Sequence, residues 1–576
     1  MARPNEVVAA LLQEYADLIS ITGGDAFKVR SYERAARAVA GYHADVSALD
    51  VDGLKQIPNV GASIAEKVLE FLHSGQVEAI EKLRATVPAG VRELTRIPTL
   101  GPKKAMTLFR ELGVSSVPGL AHALDDGRVA RLKGFGPRTA ENIAHGIELL
   151  RRGGGRVLIS TAMAVAEEVV AAIAAVPGCA DCAYAGSLRR MRDTIGDVDI
   201  LAAARDSAPL MAAFTRLPQV AEVIAHGHTK SSVRTTAGLQ VDLRVVPPQV
   251  WGAALLYFTG SKPHNIRVRE IAVRHGLKLS EYGLFQVSEG EDDTLVVAET
   301  EREVYERLGL PWIPPPLRED RGEIEAALAH ELPDLVTGAD IRGDLHTHTD
   351  LTDGVSTLAE MVATARARGY RYYAVTDHAK DMPMQRMTDE KMLAQRAALR
   401  AMDAGRMALL HGTELNIDPD GGVDWDADFL AGFDLCVAAV HSHFHQSREQ
   451  MTRRLVRACE NPYVTIIGHP TTRQIGRREP VDFDADAVFR AAARTGTAME
   501  INSYPDRLDL NDELVLRARR YGVKFAIDTD SHATVHLDFL RYGVGTAQRG
   551  WLTRDEVINT WPLARLRRFI TAHRPR

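Results

Sequence analysis

Seven short apolar runs follow one another after residue 340, and each run ends in polar side chains. Helical stretches separate most of the runs, which span 344–348, 372–378, 408–415, 435–443, 464–470, 497–503 and 523–532. Strands that alternate with helices are typical of a β/α barrel, whose strand ends meet on one face and carry the chemistry. The pattern therefore predicts a distorted (β/α)7 barrel over residues 341–576, with seven strands instead of eight.

The run ends, with the loop after the first run, carry nine side chains that can bind metal ions: His346, His348, Asp353, His378, Glu414, His441, His469, Asp530 and His532. A single histidine is more often structural than a ligand, but six of the chain's 20 histidines fall in this set. Imidazole and carboxylate suit zinc, manganese or iron, and nine ligands are too many for one ion. The pattern predicts two or three divalent ions with Glu414 as a bridging ligand, an arrangement that suits phosphodiester hydrolysis.

An earlier segment carries three aspartates on two predicted strands of a mixed α/β region. Asp197 and Asp199 lie in the run 197–201, and Asp242 lies in the run 239–246. Because residues two apart point to the same face of a strand, Asp197 and Asp199 can bind metal ions together. Asp242 would otherwise be an unexplained charge within an apolar strand. The three carboxylates predict a second metal site.

A glycine-containing motif occurs three times in the first 150 residues. Gly61, Gly101 and the pair Gly134 and Gly136 each precede a helical stretch, with an alanine four residues after the last glycine. Glycine permits a tight turn, and the amides at a helix N-terminus form a site for anions. The apolar spacing predicts an all-α region, which a flexible linker at 151–156 ends, and a proline-rich tether at 310–316 marks the next boundary.

Length and composition restrict the classes of protein that the chain can belong to. The 576 residues predict several folding units, and 45% hydrophobic with 25% charged residues is typical of a globular protein. A net charge of −6 excludes binding of nucleic acid by overall positive charge, so any contact with nucleic acid must be local. No segment resembles a membrane span or a signal peptide, which predicts a cytoplasmic protein without a membrane partner.

The barrel motifs resemble those of the PHP (polymerase and histidinol phosphatase) domain. The matching segments are 344–354, 376–378, the Glu414 segment, 440–443, 468–470 and 529–532. The resemblance implies a phosphoesterase centre with three ions, manganese or zinc or both, held by the nine residues named above. Glu500, Asp377 and Asp528 are expected to orient ligands or to be structural, and His443 and His445 to contact substrate or lie at the surface.

The central region resembles the nucleotidyltransferase palm of the family X DNA polymerases, through Gly186-Ser187, the Asp197-x-Asp199 pair, Asp242 and the segment 257–261. The resemblance implies that Asp197 and Asp199 hold two magnesium or manganese ions, and that Asp242 joins the catalytic ion. Lys230 and Arg244 are expected to pair with phosphate or carboxylate, and a surface salt bridge is the alternative for either residue. The nucleotide-binding residues that it implies are Gly186, Ser187, Arg190, Gly196, Lys230, Tyr257, Phe258, Gly260, Ser261 and Asn265.

The glycine motifs resemble helix-hairpin-helix modules, which bind the DNA backbone without reading its sequence. Gly61, Gly101, Gly134 and Gly136 would then contact DNA. Lys67 matches the Schiff-base lysine of the deoxyribose-phosphate lyase domain found in this family, with Lys28 and Tyr32 as DNA-contacting neighbours. An ordinary solvated helix lysine is the alternative reading of Lys67.

The whole chain is similar to the bacterial and archaeal family X DNA polymerases that carry a C-terminal PHP domain. The resemblance implies a monomeric repair enzyme that fills gapped or nicked DNA with deoxynucleoside triphosphates and has 3′-5′ exonuclease activity, with abasic-site endonuclease or 3′-phosphatase activity as further possibilities. The alternatives are a phosphoesterase with a weak polymerase core and a non-catalytic repair scaffold. The predicted domains are lyase-like at 1–85, a second DNA-binding unit at 86–155, palm at 156–248, nucleotide-selecting thumb at 249–316, linker at 317–340 and PHP at 341–576.

Overall fold

The structure of the chain is a computed structural model. The structure describes residues 4–40, 42, 45–57, 59–87, 89–95, 97, 100–152, 155–287, 293–382, 387–572 and 574. Two glycines of the predicted linker, at positions 153 and 154, lie outside the described residues.

The N-terminal region is built from α-helices around one apolar core. Gly61 and Gly101 precede helices in extended backbone conformation, whereas Gly134 and Gly136 have φ of +89° and +63°. The alanines Ala65 and Ala105 are buried, as expected for close helix packing. The helices are α1 (Pro4–Ile21), α2 (Ala26–Ala40), α3 (Val51–Lys55), α4 (Ala62–Ser74), α5 (Glu78–Thr86), α6 (Ala89–Leu94), α7 (Pro102–Leu112), α8 (Val117–Asp125), α9 (Arg128–Arg131) and α10 (Gly136–Arg152).

The palm is a five-stranded sheet with α11 packed on it. The strand order is β2-β4-β7-β6-β5, and β4 and β7 are parallel neighbours. Strands β1 and β3 form a separate antiparallel pair. The elements are β1 (Val157–Leu158), α11 (Ile159–Ala174), β2 (Asp181–Tyr184), α12 (Gly186–Arg189), β3 (Thr194–Ile195), β4 (Asp197–Ala203), α13 (Ala208–Phe214), β5 (Val220–His226), β6 (Lys230–Thr235) and β7 (Gln240–Val246).

The thumb follows directly and packs four helices and a three-stranded antiparallel sheet around one apolar core. The proline-rich segment and the predicted linker after it are packed rather than free, because Ile313, Leu317 and Ile324 are buried in the thumb core. The fully buried Arg318 donates through Nη1 to Oε1 of Glu301 at 2.7 Å. The elements are α14 (Trp251–Thr259), α15 (Lys262–Arg274), β8 (Leu277–Ser280), β9 (Gly283–Gln286), β10 (Thr294–Val297), α16 (Glu301–Arg307) and α17 (Glu323–Leu328).

The C-terminal region is a parallel seven-stranded barrel with its strands in sequence order, as the alternating pattern predicts. A parallel bridge between Thr347 and Ser531 connects the segments that follow the first and last strands. The elements are β11 (Gly343–Asp344), α18 (Leu358–Ala367), β12 (Tyr372–Val375), α19 (Asp389–Ala401), β13 (Ala408–Asn416), α20 (Ala427–Leu430), β14 (Leu435–Ala439), α21 (Arg448–Glu460), β15 (Ile466–Ile467), α22 (Ala485–Thr495), β16 (Ala498–Asn502), α23 (Asp512–Arg519), β17 (Phe525–Asp528), α24 (Leu540–Arg549) and α25 (Leu563–Thr571).

Helix α24 of the barrel packs against the palm. Leu508 and Tyr542 are buried in the same apolar cluster as the palm core. A Cβ atom at Gly545 would lie 2.4 Å from Cε of Met191, so glycine permits the helix to approach this closely. Arg473 also pairs with Asp193 across the boundary at 3.1 Å. The two regions therefore share a packed interface.

Candidate active sites

The three palm aspartates meet at one edge of the sheet. Asp199 on β4 stands opposite Asp242 on β7, and Asp197 precedes Asp199 by two residues. One carboxylate oxygen from each lies within 4.8 Å of those of the other two. Asp197 is exposed, Asp199 is half-buried and Asp242 is buried. Strand pairing thus gathers oxygen ligands of the kind that Mg²⁺ binds.

Gly186 lies directly against this triad. Its φ is +60°, and a Cβ atom there would come within 2.3 Å of Oδ2 of Asp199. The amide of Ala185 donates to the carbonyl of Asp199 at 2.8 Å. The turn that begins the Gly-Ser motif is therefore anchored beside the carboxylates, at a position that only glycine fills without strain.

Lys230 offsets part of the negative charge. Its Nζ lies 2.6 Å from Oδ2 of Asp242, and Nε2 of Gln240 donates to Oδ1 of the same carboxylate at 3.0 Å. Burial alone would raise the pKa of Asp242, but the hydrogen bonds from Lys230 and Gln240 outweigh it and lower that pKa. Burial raises the pKa of Asp199 to about 6, and the charges of Asp197 and Asp242 add to that shift. Of the two expected partners for Lys230, the structure places it on a carboxylate.

Arg190 is held between the palm and the thumb. Its Nη1 donates to the carbonyl of Thr259 at 2.6 Å, and its Nε donates to Oε1 of Glu319 at 3.1 Å. Gly260 faces the guanidinium, since a Cβ atom there would lie 3.2 Å from Nη1. Only 13% of the Arg190 side chain is exposed, so its orientation is fixed by these contacts.

The nucleotide-selection segment forms a connected aromatic and amide group. The rings of Tyr257 and Phe258 meet edge to face at 5.1 Å, and the guanidinium of Arg244 lies 4.5 Å from the centroid of Phe258. Asn265 donates through Nδ2 to the carbonyl of Tyr257 at 2.7 Å. The buried Oδ1 of Asn265 has no hydrogen-bond partner among the described residues. An acceptor is thus available in this segment.

Three further predicted residues have more ordinary surroundings. Ser187 is half-buried in the short helix α12. Gly196 lies beside Arg156, whose Nη1 would be 3.3 Å from a Cβ atom at Gly196. Ser261 is buried, and its hydroxyl accepts from the amide of His264 at the start of α15, which ties it to the fold.

In the barrel, Glu414 stands at the centre of the nine predicted ligands. Its Oε1 lies 2.9 Å from Nε2 of His469 and 3.0 Å from Nε2 of His441. Its Oε2 lies 2.7 Å from Nδ1 of His378, and its Oε1 lies 3.5 Å from Nε2 of His346. Both oxygens of Glu414 thus face imidazole nitrogens.

The remaining ligands surround this centre. Oδ1 of Asp353 lies 3.4 Å from Nε2 of His378 and 3.3 Å from Nε2 of His532. The ligand atoms form three groups, each within 4.8 Å: His348 with Asp353, His378 and His532; His346 with His348 and Asp530; His378 with Glu414 and His441. With His469 beside Glu414, the structure brings all nine predicted residues together.

Several ligands are oriented by a second polar residue. Oε1 of Glu500 lies 2.6 Å from Nδ1 of His346, and Oδ1 of Asn416 lies 2.7 Å from Nδ1 of His441. Nδ2 of Asn502 donates to Oδ2 of Asp530 at 3.0 Å. Neither asparagine is among the residues predicted from the sequence. Each follows a glutamate of the same strand by two residues, and that period-two spacing could have revealed them.

The other side chains near the motifs divide into structural and surface groups. Asp377 accepts from the amide of Thr349 at 2.8 Å, and Asp528 accepts from the amide of Leu345 at 2.9 Å, so both hold the backbone of the first loop. His443 and His445 are exposed.

The cluster carries strongly perturbed charges. Burial alone would raise the pKa of Glu414, but the charges of His441, His378 and His346 hold that pKa well below its usual range. Burial would lower the pKa of His532, yet the neighbouring Asp353 raises it to about 9. The carboxylates therefore stay ionised and can share their charge with cations.

The donor set fits divalent metal ions. Two buried imidazole nitrogens within it, His348 Nδ1 and His469 Nδ1, have no hydrogen-bond partner among the described residues. Buried polar atoms without partners are costly unless a ligand satisfies them. Nitrogen and oxygen donors in this mixture suit manganese and zinc alike.

Arg507 is a functional candidate that is not among the residues predicted from the sequence. Its Nε lies 3.7 Å from Oδ2 of Asp530, and its buried Nη1 has no hydrogen-bond partner among the described residues. Burial would lower the pKa of Arg507, but the charges of Asp530 and Asp506 raise it. It lies in the irregular segment after β16, where no periodic pattern marks it.

In the N-terminal region, Lys67 is half-buried on α4. Its Nζ donates to Oγ of Ser63 at 3.0 Å and to the Ser63 carbonyl at 3.1 Å. Nζ of Lys28 lies 5.5 Å from the ring centroid of Tyr15, which meets Tyr32 edge to face at 4.6 Å. Lys28 and Tyr32 are thus joined through Tyr15.

A barrel with buried clusters of metal-ligating groups, a palm triad and repeated helical hairpins defines a multidomain protein of the metal-dependent phosphoryl-transfer class. Profile comparison matches the helix-hairpin-helix domain at 3–77, the SAM-like helix-hairpin-helix tandem at 91–148, the DNA polymerase beta thumb at 254–319 and the PHP domain at 344–555. Within the described residues, no helix is long and apolar enough to cross a bilayer.

The chain is 34% identical over 568 residues to the DNA polymerase/3′-5′ exonuclease PolX of Bacillus subtilis (strain 168), and the match covers 98% of both chains. It therefore belongs to the family X DNA polymerases that carry a C-terminal PHP domain. It is also 28% identical to DNA polymerase lambda of Rattus norvegicus, over 51% of this chain and 53% of the relative. A probable phosphatase of Thermoanaerobacter sp. (strain X514) matches 38% of the chain and 89% of its own length at 28% identity. The predicted family and fold class are confirmed.

Proposed function

We infer that this chain is a DNA polymerase that also has 3′-5′ exonuclease activity. The observation that carries this inference is the presence of two separate ligand clusters, the palm triad and the barrel set, on a chain that matches a DNA polymerase/3′-5′ exonuclease over 98% of its length. Both activities depend on divalent metal ions.

In the palm, we propose magnesium or manganese as two ions held by Asp197, Asp199 and Asp242. Such ions neutralise charge on the phosphates and on the attacking and leaving oxygens. The position of Asp242, 2.6 Å from Lys230, keeps it ionised and ready to bind or to help deprotonate a primer hydroxyl. Arg190, fixed at two of its nitrogens, would present its remaining Nη2 to the triphosphate.

The thumb supplies contacts for the base and sugar of the incoming nucleotide. Tyr257 and Phe258 form the apolar surface against which a sugar would pack, and the free Oδ1 of Asn265 would accept a hydrogen bond from the base edge. Ser187 and Gly196 flank the triad and would contact phosphates. The hydroxyl of Ser261 accepts from the amide of His264 and so holds the first turn of α15 in place.

We propose gapped or nicked DNA as the substrate, bound by a monomer in the cytoplasm. The helical hairpins support DNA binding, since helices begin directly after Gly61 and Gly101 and at Gly136, and the free backbone amides of their first turns can bind phosphates. The match to DNA polymerase lambda over half of the chain further supports a repair role.

In the barrel, we propose three ions, manganese or zinc or both. The three overlapping ligand groups support that number. Arg507, whose Nη1 has no hydrogen-bond partner among the described residues and whose Nε lies near Asp530, would hold a phosphate oxygen of the DNA end. The likeness to probable phosphatases also supports 3′-phosphatase activity, and abasic-site cleavage is a further possible use of the same centre.

The decisive experiment is a time course on labelled gapped DNA, with and without deoxynucleotides. Asp197→Ala with Asp199→Ala should abolish extension and spare shortening, whereas His346→Ala with His348→Ala should do the reverse. Unchanged extension in the first variant contradicts the palm assignment. A phosphoesterase with a weak polymerase core predicts shortening without extension in the unaltered chain, and a scaffold predicts DNA binding without turnover.

Lys67 carries a separate proposal of deoxyribose-phosphate lyase activity. The position of its Nζ beside Ser63 on α4 is the supporting geometry. Borohydride should trap a covalent complex with incised abasic DNA, and Lys67→Ala should remove it. Lys55→Ala, which alters an exposed ion pair with Asp52, is the matched control. An equal yield from Lys67→Ala would overturn this proposal.

A further inference from the structure

Arg549, on helix α24 of the barrel region, reaches the palm turn that carries Arg190. Its Nη1 donates to the backbone carbonyl of Arg190 at 2.8 Å and to Oε1 of Glu319 at 2.7 Å. Only 3% of the Arg549 side chain is exposed. A residue of one catalytic half is therefore bonded directly to a candidate nucleotide-binding residue of the other.

Glu319 couples the two guanidinium groups. The oxygen that accepts from Arg549 also accepts from Nε of Arg190, at 3.1 Å. Burial alone would raise the pKa of Glu319, but the charges of Arg549 and Arg190 outweigh it and lower that pKa. Nη1 of Arg190 donates to the carbonyl of Thr259, so among its three nitrogens only Nη2 has no hydrogen bond to a described residue.

The opposite edge of Arg549 is fixed within the barrel region. Its Nε and Nη2 donate to Oδ2 of Asp512 at 3.0 and 2.7 Å, and Nη1 of Arg321 donates to the same oxygen at 2.9 Å. The close contact of Gly545 with Met191 holds the helix at this distance from the turn. Arg549 thus has little freedom to move relative to Arg190.

We propose that Arg549 is a positioning residue for nucleotide binding, so that the barrel region sets the affinity of the palm for the triphosphate. This inference rests on the proposed function, in which Arg190 contacts that triphosphate. In the intact chain, Arg549 balances the charge of Glu319 and holds the Arg190 backbone. Without Arg549, the full charge of the half-buried Glu319 acts on Arg190 alone and competes with the phosphates for its guanidinium.

The test is single-nucleotide incorporation on gapped DNA by the full chain. Arg549→Ala should raise KM for the nucleotide about tenfold, the effect expected for loss of one charged hydrogen-bonded partner, while kcat stays within about twofold. Adding Glu319→Gln to Arg549→Ala should bring KM most of the way back to the value of the unaltered chain, because the second substitution removes the competing charge. Exonuclease activity should be unchanged in all variants. Arg517→Ala, which removes an exposed ion pair with Asp486 in the same region, is the control.

Two results would overturn the proposal. One is an unchanged KM in Arg549→Ala. The other is a joint loss of extension, exonuclease activity and thermal stability that Glu319→Gln does not repair, since that pattern means a purely structural contact. Failure of the proposed function is distinguishable from both, because the unaltered chain would then extend no primer.

Discussion

Nδ1 of His346 lies 2.6 Å from Oε1 of Glu500, a carboxylate at the centre of strand β16 that is itself fully buried. The second oxygen of Glu500 accepts from the amide of His469 at 2.5 Å. One carboxylate therefore orients two of the predicted ligands and directs Nε2 of His346 towards Glu414 and Asp530.

Glu500→Gln should weaken metal binding in the barrel without affecting the palm. Residues that orient a metal ligand typically change affinity by about 10- to 100-fold. We expect the Mn²⁺ concentration for half-maximal exonuclease activity to rise at least about tenfold, with unchanged nucleotide addition. Glu460→Gln, at an exposed ion pair with Arg494, is the control. An unaltered Mn²⁺ dependence would show that Glu500 does not tune the site.

Gly186→Ala should inactivate the palm selectively. The new Cβ atom would strike Oδ2 of Asp199, where only 2.3 Å is available, and displace a candidate ligand. Misplacement by about 1 Å can cost about 100-fold in rate. Gly178→Ala is a matched control, because Gly178 also has positive φ, +94°, but has nothing within 4 Å of the new atom. Extension measured beside exonuclease activity tests this, and equal losses in both glycine variants would contradict it.

Lys230→Met should lower the Mg²⁺ concentration needed for half-maximal extension. The ammonium group that is removed lies 2.6 Å from Asp242 and competes with a cation there. Because the Lys230 side chain is 40% exposed, its ion pair with Asp242 contributes at most about 1 kcal/mol. The Mg²⁺ concentration for half-maximal extension should therefore fall by at most about fivefold. Arg234→Met, on the same strand, controls for loss of charge. A large rise in KM for the nucleotide would instead assign Lys230 to the triphosphate.

Asp199→Asn should stabilise the metal-free protein while abolishing extension. Burial, with the charges of Asp197 and Asp242, raises the pKa of Asp199 to about 6 from its usual value near 3.8. The folded state therefore binds the proton more tightly than the unfolded state does. Ionisation of this carboxyl lowers the free energy of unfolding progressively as pH rises from about 4 to 6, and the loss is constant at higher pH.

At pH 7 in a chelator, we expect the asparagine to increase the free energy of unfolding by about 1 to 3 kcal/mol, and by little at pH 4. Denaturant titrations at the two pH values measure this. Asp197→Asn, at the exposed member of the triad, should give a smaller gain. A pH-independent difference would mean that the ionisation of Asp199 is not the cause.

The ligand clusters could be predicted because they follow from local rules. Strand ends in a parallel barrel meet at one face. His346, Glu414 and His469 therefore lie close together irrespective of how the surrounding helices pack. Likewise, alternation along β4 is enough to place Asp197 and Asp199 on one face, and the parallel pairing with β7 adds Asp242.

Contacts made between distant segments could not be predicted in this way. Arg549 meets Arg190 only because α24 packs on the palm, and Arg507 reaches Asp530 from an irregular loop. Neither position has a periodic neighbour that would mark it. The proline-rich segment was expected to be a tether, yet Ile313 and Leu317 are buried, because proline composition indicates stiffness and does not indicate exposure.

The side chains of Leu508 and Tyr542 complete the apolar interior of the palm although they belong to the barrel half of the chain. A polymerase fragment ending before residue 340 would present that uncovered surface to water, and self-association would follow. Dissection of the two activities should therefore use point substitutions in the intact polypeptide rather than truncated halves.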